Sequence, residues 1–427
     1  MSTRLARAGH LIDRSKPVKF TFNGKHLQGF AGDTLGSALL ANDQLLMGRS
    51  FKYHRPRGIV ASGAEEPNAL VNLGRDGKFE PNARATTTEL FAGLTARSQN
   101  HWPSLEFDVG AVNAKLGRFM PAGFYYKMFI HPRPLWKHVY EPFIRKSAGL
   151  GKAPKQADED TYEHFHTSVD VIVVGGGIAG LSSALAAGRA GARVLLVEQT
   201  PHWGGRAVVD EPTIDGQSAE AWVNAAVAEL ETLENVTIRT RCMGAGVYDH
   251  GYALAYERLG DHGKSDGPRH RLWRIRAKQI VTATGAIERP LSFAGNDIPG
   301  VLLAAAVRDY AVNYGVSVGD RTVVVTNNDD AYRTAITLKG LGLDVPCIID
   351  ARASGGGVLA EEAKALGIRV ETGKAIAKVK GVKRVTGVAM CSQAGEGAVL
   401  EEIECDVVAM SGGWSPVVHL WSHCGGK

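Results

Sequence analysis

Apolar and polar positions alternate with period two over residues 16–30, KPVKFTFNGKHLQGF, and Asn23-Gly24 interrupts the alternation near its middle. This pattern predicts two short strands joined by a tight hairpin turn. Asp33 is then a candidate N-cap for a short helix over TLGSALLAN. Hairpin, helix and a loop-rich return through GIVASGAEEPNALVNLG is a β-grasp order. Residues 100–150 are rich in Pro and aromatic side chains (HWPS, AGFYYKMFIHPRPLW), lack a clear period and read as a wrapping segment. Residues 151–168, GKAPKQADEDTYEHFHTS, read as a linker.

The pattern changes at VDVIVVGGGIAGLSSALAAGRAGARVLLVEQ. An apolar strand over 169–174, a glycine turn, a small-residue helix to about Ala190 and a second apolar strand over 193–198 follow one another. The fingerprint Gly175-x-Gly177-x-x-Gly180 falls at the strand–helix junction, and Glu198 closes the second strand. Each part has a physical task. Gly175 permits the tight turn, Gly177 lets backbone approach a diphosphate, and Gly180 allows close helix–strand packing. The helix N-terminus offers unpaired N–H groups and partial positive charge to the diphosphate. Glu198 can accept both hydroxyls of an adenine ribose and would repel a 2′-phosphate, which favours NAD or FAD over NADP. The following His202-Trp203-Gly204-Gly205-Arg206 could add backbone N–H groups and a guanidinium, or be an ordinary surface loop.

Residues 321–350, RTVVVTNNDDAYRTAITLKGLGLDVPCIID, repeat this unit at an offset of 152, with Asp350 at the Glu198 position. Asn327, Asp329 and Tyr332 replace the three glycines. Asp329 and Asp330 are expected as helix N-caps that set carboxylates where a diphosphate would sit. Tyr332 is expected to wedge helix from strand. The fold unit is therefore expected to persist with a dead nucleotide site; an atypical site is the other reading. Two more strands end in small residues, QIVTATG at 279–285 and CDVVAMSGGWSP at 405–416. Thr284, Gly285, Ser411 and Gly412 are thereby expected near the first cofactor.

Composition narrows the class. Gly, at 51 of 427 residues, is about 12% against a usual ~7%, without a G-X-Y period. The five cysteines, Cys242, Cys347, Cys391, Cys405 and Cys424, form no CxxC pair, which excludes a disulfide scaffold, a zinc ribbon and a thioredoxin-type redox pair and suits a reducing cytoplasm. The net charge of +5 is uneven: residues 1–155 carry 23 basic and 11 acidic side chains, a net +12, and the remainder carries −7. This basic front suits a docking face for an acidic subunit or a solvated surface; no nucleic-acid motif accompanies it. Within it, Arg49, Lys52, His54, Arg55 and Arg57 surround two aromatics, as a partner or phosphate contact or as a solvated face. His164 and His166 lack further ligands at zinc-like spacing, so no metal site is expected. The longest apolar stretch, Val169 to Gly188, contains Asp170 and a glycine triplet and reads as strand–turn–helix, not a membrane span. The first ten residues have no apolar signal core; they are acid-free and contain Arg, a pattern open to a transit peptide.

Specific segments resemble the α subunits of heterotetrameric sarcosine oxidases: FTFNGK, GDTLGSALLAN, FKYHRPRG at 51–58, PAGFYYKMFIHP at 121–132, GGGIAG, ATGAIERP, NNDDAY and SGGWSPVVHL. Opine oxidase and hydrogen cyanide synthase subunits are related families. The resemblance implies a β-grasp front resembling a [2Fe-2S] ferredoxin. In cluster-bearing relatives, cysteines fall around the loop equivalent to Arg57–Ala64; here that loop, RGIVASGA, has none, so a thiolate-ligated cluster cannot form. It also implies NAD in the first site, at Gly175, Gly177, Ala179, Gly180, Glu198, Gln199, Gly205 and Arg206, with backbone near Met243-Gly244 against adenine. FAD on a partner β subunit and FMN at the α/β interface are implied, with γ- and δ-type subunits completing the assembly. In that family the α subunit continues into a folate-binding domain, so this chain is expected to be a fragment without a tetrahydrofolate site.

The expected architecture is α/β: an FAD/NAD(P)-binding Rossmann-like domain with an inserted second nucleotide-type domain, preceded by a cluster-free β-grasp domain. Expected boundaries are 1–100 for the β-grasp, 101–167 for the wrapping segment and linker, 168–295 for the dinucleotide domain, 296–385 for the insertion and 386–427 for the return. No catalytic constellation is visible. Three functions stay open: a nucleotide-bearing subunit of a multi-subunit amine oxidase, a self-sufficient FAD-dependent oxidoreductase using pyridine nucleotide, and a scaffold whose NAD is structural.

Overall fold

The computed structural model describes residues 3–117, 123, 127, 129, 131–149, 151–261 and 267–426. Most of the 121–132 motif lies outside the described residues. The chain forms two compact units, Met1–Asp158 with Arg289–Gly413, and Glu159–Glu288 with Trp414–Lys427.

In the first unit, β1 (Asp13–Phe22) and β2 (Lys25–Ala31) pair antiparallel, with Phe22 opposite Lys25. Asn23 and Gly24 take φ of 50° and 81°, the left-handed conformation a two-residue hairpin needs. Helix α1 (Leu35–Ala41) is capped by Thr34, whose hydroxyl accepts from Ser37 N while the Ser37 hydroxyl accepts from Thr34 N. The cap is thus one residue later than Asp33. Asp33 is buried instead, accepting from Phe30 N at 2.8 Å and from the Ser37 hydroxyl at 2.6 Å, and pairing with Arg4. Strands β3 (Leu70–Leu73), β4 (Glu80–Arg84) and β5 (Thr95–Ser98) complete a sheet of order β2-β1-β5-β3-β4. The β-grasp expectation matches this hairpin, helix and sheet.

The second unit opens with β6 (Tyr162–Val174), followed by α2 (Ile178–Arg189), β7 (Val194–Val197), α3 (Ala219–Thr232), β8 (Val236–Arg239), β9 (Cys242–Tyr248), β10 (Tyr252–Arg258) and β11 (His270–Thr282). The sheet order is β8-β7-β6-β11-β10-β9. Strand β6 starts within the expected linker. His164 and His166 belong to it, in register with Leu272 and Arg274 of β11. Its polar start (YEHFHTS) carries no apolar run to announce a strand, and pairing with β11 and the Phe165–Trp273 edge contact at 4.7 Å hold it in place.

The chain then returns to the first unit through β12 (Val301–Leu303), α4 (Ala304–Tyr314), β13 (Arg321–Thr326), α5 (Asp330–Gly340), β14 (Asp344–Asp350), β15 (Arg369–Thr372), β16 (Lys374–Gly381), β17 (Val385–Ser392), β18 (Val399–Ile403) and β19 (Val407–Ser411). A parallel sheet of order β12-β19-β13-β14-β15 forms here, beside the antiparallel β16-β17-β18. This corrects the expected boundaries. The insertion runs to Gly413, and only residues 414–427 return to the first dinucleotide unit. Strand β19 is wholly buried, and an apolar run reports burial on both faces without naming its sheet. The last segment pairs Trp414–Pro416 with Ala286–Glu288 and ends in α6 (His419–His423), whose Leu420 joins the core of Ile172, Val174, Leu195 and Val197.

Candidate dinucleotide site

The glycine turn after β6 shows the spacing logic directly. Gly175 has φ of 109°, and a Cβ there would lie 2.2 Å from the Ala283 carbonyl oxygen. At Gly180 a Cβ would lie 1.8 Å from the Gly175 carbonyl oxygen. At Gly177 a Cβ would meet nothing within 4 Å. The outer glycines are therefore required by the protein's own packing, while Gly177 borders open space at the first turn of α2. Its helix N-terminus has no side-chain cap, and the first intrahelical bond runs from Leu181 N to the Gly177 carbonyl, which leaves the amides of the first turn available to an anion.

Glu198 follows β7 and is buried. One carboxylate oxygen accepts from Gly176 N at 2.7 Å, and the other accepts from Thr200 N at 2.8 Å and the Thr200 hydroxyl at 2.9 Å. These bonds fix the carboxylate against the glycine turn, and its remaining lone pairs can serve a ribose. Cys242 N donates to the Glu198 carbonyl at 2.7 Å, which sets the start of β9, hence Met243 and Gly244, beside it. Met243 is exposed, and Gly244 admits the Val174 side chain, 2.5 Å from where its Cβ would stand. Gln199 is held by its carbonyl, which accepts from Arg258 at 3.2 Å.

The 202–206 loop folds over the turn. Gly204 N donates to the Gly176 carbonyl at 2.8 Å, and a Cβ on Gly205 would stand 3.3 Å from Gly177 Cα. Arg206 pairs with Asp210 at 3.1 Å and lies 5.2 Å from the Trp414 ring centroid. A cleft of about 460 Å³ opens between the glycine turn, the end of β11 and residues 416–421. Thr284 donates its hydroxyl to the Val417 carbonyl at 2.6 Å, and Val417 N donates to the Gly285 carbonyl at 2.9 Å. Sequence reasoning missed Val417, Val418 and Trp421 as lining residues; no local signal connects them to a turn more than two hundred residues earlier.

Ser411 and Gly412 belong to the other unit. They end β19, where the Ser411 hydroxyl accepts from Asn328 at 2.8 Å. The second cradle differs from expectation in its details. Asp329 and Asp330 make no side-chain caps. Asp329 accepts from Gly356 N and pairs with Arg352 at 2.7 Å, while Asp330 pairs with the buried Arg308 at 3.2 Å. Tyr332 does not prise helix from strand. Its buried ring turns toward Gly356, and its hydroxyl donates to Asp350 at 2.8 Å. Arg352 bridges Asp329 and Asp350. The carboxylate that would hold a ribose is thus engaged internally.

The basic cluster at 49–57 is also partnered within its own unit: Arg49 with the Leu105 carbonyl, His54 with Asp108, and Arg55 and Arg57 with Asp297. In the loop after Arg57, the buried Glu66 carboxylate accepts four backbone N–H bonds, from Val60, Ala61, Asn68 and Ala69, at 2.6–3.0 Å. Burial pushes its pKa up, and the four donors oppose that shift.

Comparison with known proteins accords with this geometry. Residues 15–101 match the 2Fe-2S iron-sulfur cluster binding domain, although that span contains no cysteine and cannot ligate a cluster through thiolates. The chain is 47% identical over its whole length to sarcosine oxidase subunit alpha of Rhizobium meliloti (strain 1021), covering 42% of that protein. It is 38% identical over 97% of its length to sarcosine oxidase subunit alpha of Corynebacterium sp. (strain P-1), covering 39% of it. It therefore spans about two fifths of the length of these curated relatives. The fold is similar to that of L-proline dehydrogenase from P. horikoshii, with a TM-score of 0.64 and 21% identity, over all of this chain and 65% of that one. Residues 169–425 match the pyridine nucleotide-disulphide oxidoreductase model. That match covers more than half of the chain and includes the glycine cradle and the buried Glu198, and the chain belongs to the pyridine nucleotide-disulphide oxidoreductase family.

Proposed function

We propose that this chain is the NAD-holding part of a sarcosine oxidase-type α subunit. The observation that carries the reading is the cradle at Gly177. Space is left open at the one fingerprint glycine where nothing in the protein requires it, beside a helix N-terminus and the anchored Glu198. The residues proposed to hold NAD are Gly175, Gly177, Ala179, Gly180, Glu198, Gln199, Gly205, Arg206, Met243, Gly244, Thr284 and Gly285. The choice of NAD over FAD follows the resemblance to sarcosine oxidase α subunits across the whole chain.

No residue here is assigned a catalytic role. The chain's own contribution is to bind and orient the nucleotide. Oxidative demethylation of sarcosine to glycine, with hydrogen peroxide formed, would depend on FAD held by a β-type partner and FMN at the interface, in an assembly with γ- and δ-type subunits in the cytoplasm. A self-sufficient pyridine-nucleotide reductase is less well supported. Such an enzyme needs a second nucleotide seat, and the corresponding carboxylates are engaged by Arg352 and Tyr332. The test is peroxide release from sarcosine with and without the partner subunits. Turnover is expected only in the assembled sample; turnover by this chain alone would contradict the proposal.

A further inference from the structure

In the first unit, the segment from Trp102 to Leu116 buries Asp108 against Arg49 and His54 and leaves several large apolar side chains exposed. Arg49, 8% exposed, donates to the Leu105 carbonyl from Nη2 at 2.6 Å and Nε at 3.0 Å, and to the Glu106 carbonyl at 3.2 Å. Asp108, also 8% exposed, accepts from the backbone N–H of Trp102 and Gly110 at 3.1 Å each. Its other oxygen lies 2.6 Å from His54 Nδ1. Leu105 is buried between them. Trp102 and Phe107, by contrast, are each 70% exposed.

Val109, Val112 and Leu116 extend this face. They are exposed at i, i+3 and i+7 spacing along the two consecutive short helical segments Val109–Ala111 and Val112–Lys115. Val109 N donates to the Trp102 carbonyl at 2.8 Å, which sets the Trp102 backbone beside the start of the stripe. The Tyr53 ring reaches the far end, 3.1 Å from where a Cβ on Gly117 would stand. Lys52 and Arg55 flank that ring at 4.7 and 5.3 Å, and Lys115 is exposed within the stripe. A free surface favours the reverse arrangement, with charges in water and indole covered. The Arg49 bonds to backbone carbonyls and the Asp108 bonds to His54, Trp102 N and Gly110 N also fix the loop, so docking would cost it little conformational freedom.

We propose that the face formed by Trp102, Phe107, Val109, Val112 and Leu116 docks a partner protein subunit presenting an apolar centre rimmed by carboxylates. The inference rests on the reading of this chain as one subunit of a larger oxidase. Charge selects the occupant: Lys115 is exposed within the face and Lys52 borders it, the exposed Glu106 is neutralised by Lys25 at 2.7 Å, and residues 1–155 carry +12. A second copy would bring like charges together, whereas an acidic face is attracted and steered.

The test is co-expression with the β-type subunit of the Rhizobium meliloti sarcosine oxidase, followed by size-exclusion chromatography with light scattering. The parent chain is expected to co-elute with that subunit. Trp102→Ser/Phe107→Ser is expected to weaken the complex at least tenfold with unchanged circular dichroism, and Lys115→Glu to slow assembly and flatten its salt dependence. As a check independent of variant folding, Phe107→benzoylphenylalanine should photocrosslink to the partner in the assembled complex. Equal assembly by parent and double variant, or a complex without that crosslink, would overturn the docking face while leaving the subunit reading intact. No complex with the parent chain would overturn the subunit reading itself. Trp102-dependent self-association, or Trp102-dependent sedimentation with phosphatidylglycerol vesicles, would reassign the face to a second copy or to a lipid surface and overturn the proposal.

Discussion

Substituting Gly177 and Gly180 separately should divide ligand binding from folding. At Gly180 the added methyl would stand 1.8 Å from a backbone oxygen, and neither group is the movable end of a side chain. Helix α2 must shift off β6, an overpacking cost of about 1–3 kcal/mol or more. At Gly177 the methyl meets nothing within 4 Å, and φ of −75° suits any residue. Ala is a poorer N-cap than Gly by roughly 0.5–1 kcal/mol, and the stiffer unfolded chain returns about 0.4–1 kcal/mol. The net change for Gly177→Ala is therefore near zero. The methyl nevertheless fills the approach to the helix N-terminus. A tenfold loss of NAD affinity, about 1.4 kcal/mol, is the minimum expected. Urea unfolding and calorimetric NAD titration of both variants provide the assay. Gly177→Ala that binds NAD like the parent would refute the assignment of this turn as the diphosphate cradle.

Glu198→Ala leaves the Gly176 N–H and both Thr200 donors without their acceptor; stability should fall by ~1–3 kcal/mol, with dinucleotide lost on gel filtration, and full retention would argue against its role. Burial pushes the Cys347 and Cys405 thiols up to about 12 and raises Cys242 further. All three stay protonated at pH 8, with roughly one part in ten thousand or less as thiolate. With Cys391 also buried and Cys424 exposed, a thiol reagent should find one fast cysteine of five; two or more fast thiols would show that these cores open. Anaerobic iron and sulfide reconstitution should leave no Fe–S absorbance, because residues 1–241 lack cysteine; stoichiometric iron and sulfide would point to ligands of another kind.

Local signals were legible where chemistry and sequence position coincide. The Asn23-Gly24 turn, the Gly180 approach to Gly175 and the Glu198 bond to Gly176 all join residues within about two dozen positions of each other. The N-cap slipped by one because Asp33 and Thr34 both carry a short oxygen acceptor, and Asp33 is drawn inward by Phe30 N, the Ser37 hydroxyl and Arg4, the last of them distant in sequence. The sheet that β19 joins was not legible, because a buried and largely apolar strand suits either sheet. Tyr332 looked obstructive because its outlet at Gly356 lies beyond the repeat. Val417 and Trp421 carried no signal at all, since they line the cleft through the tertiary return of the chain.

The most direct measurement of the central claim is mass spectrometry of nucleotide released when the purified protein is denatured. NAD at about one equivalent per chain is the expected result, and its loss from Gly177→Ala should accompany it. FAD in its place, or no dinucleotide in a folded protein saturated with NAD beforehand, would contradict the proposal that this cradle holds NAD.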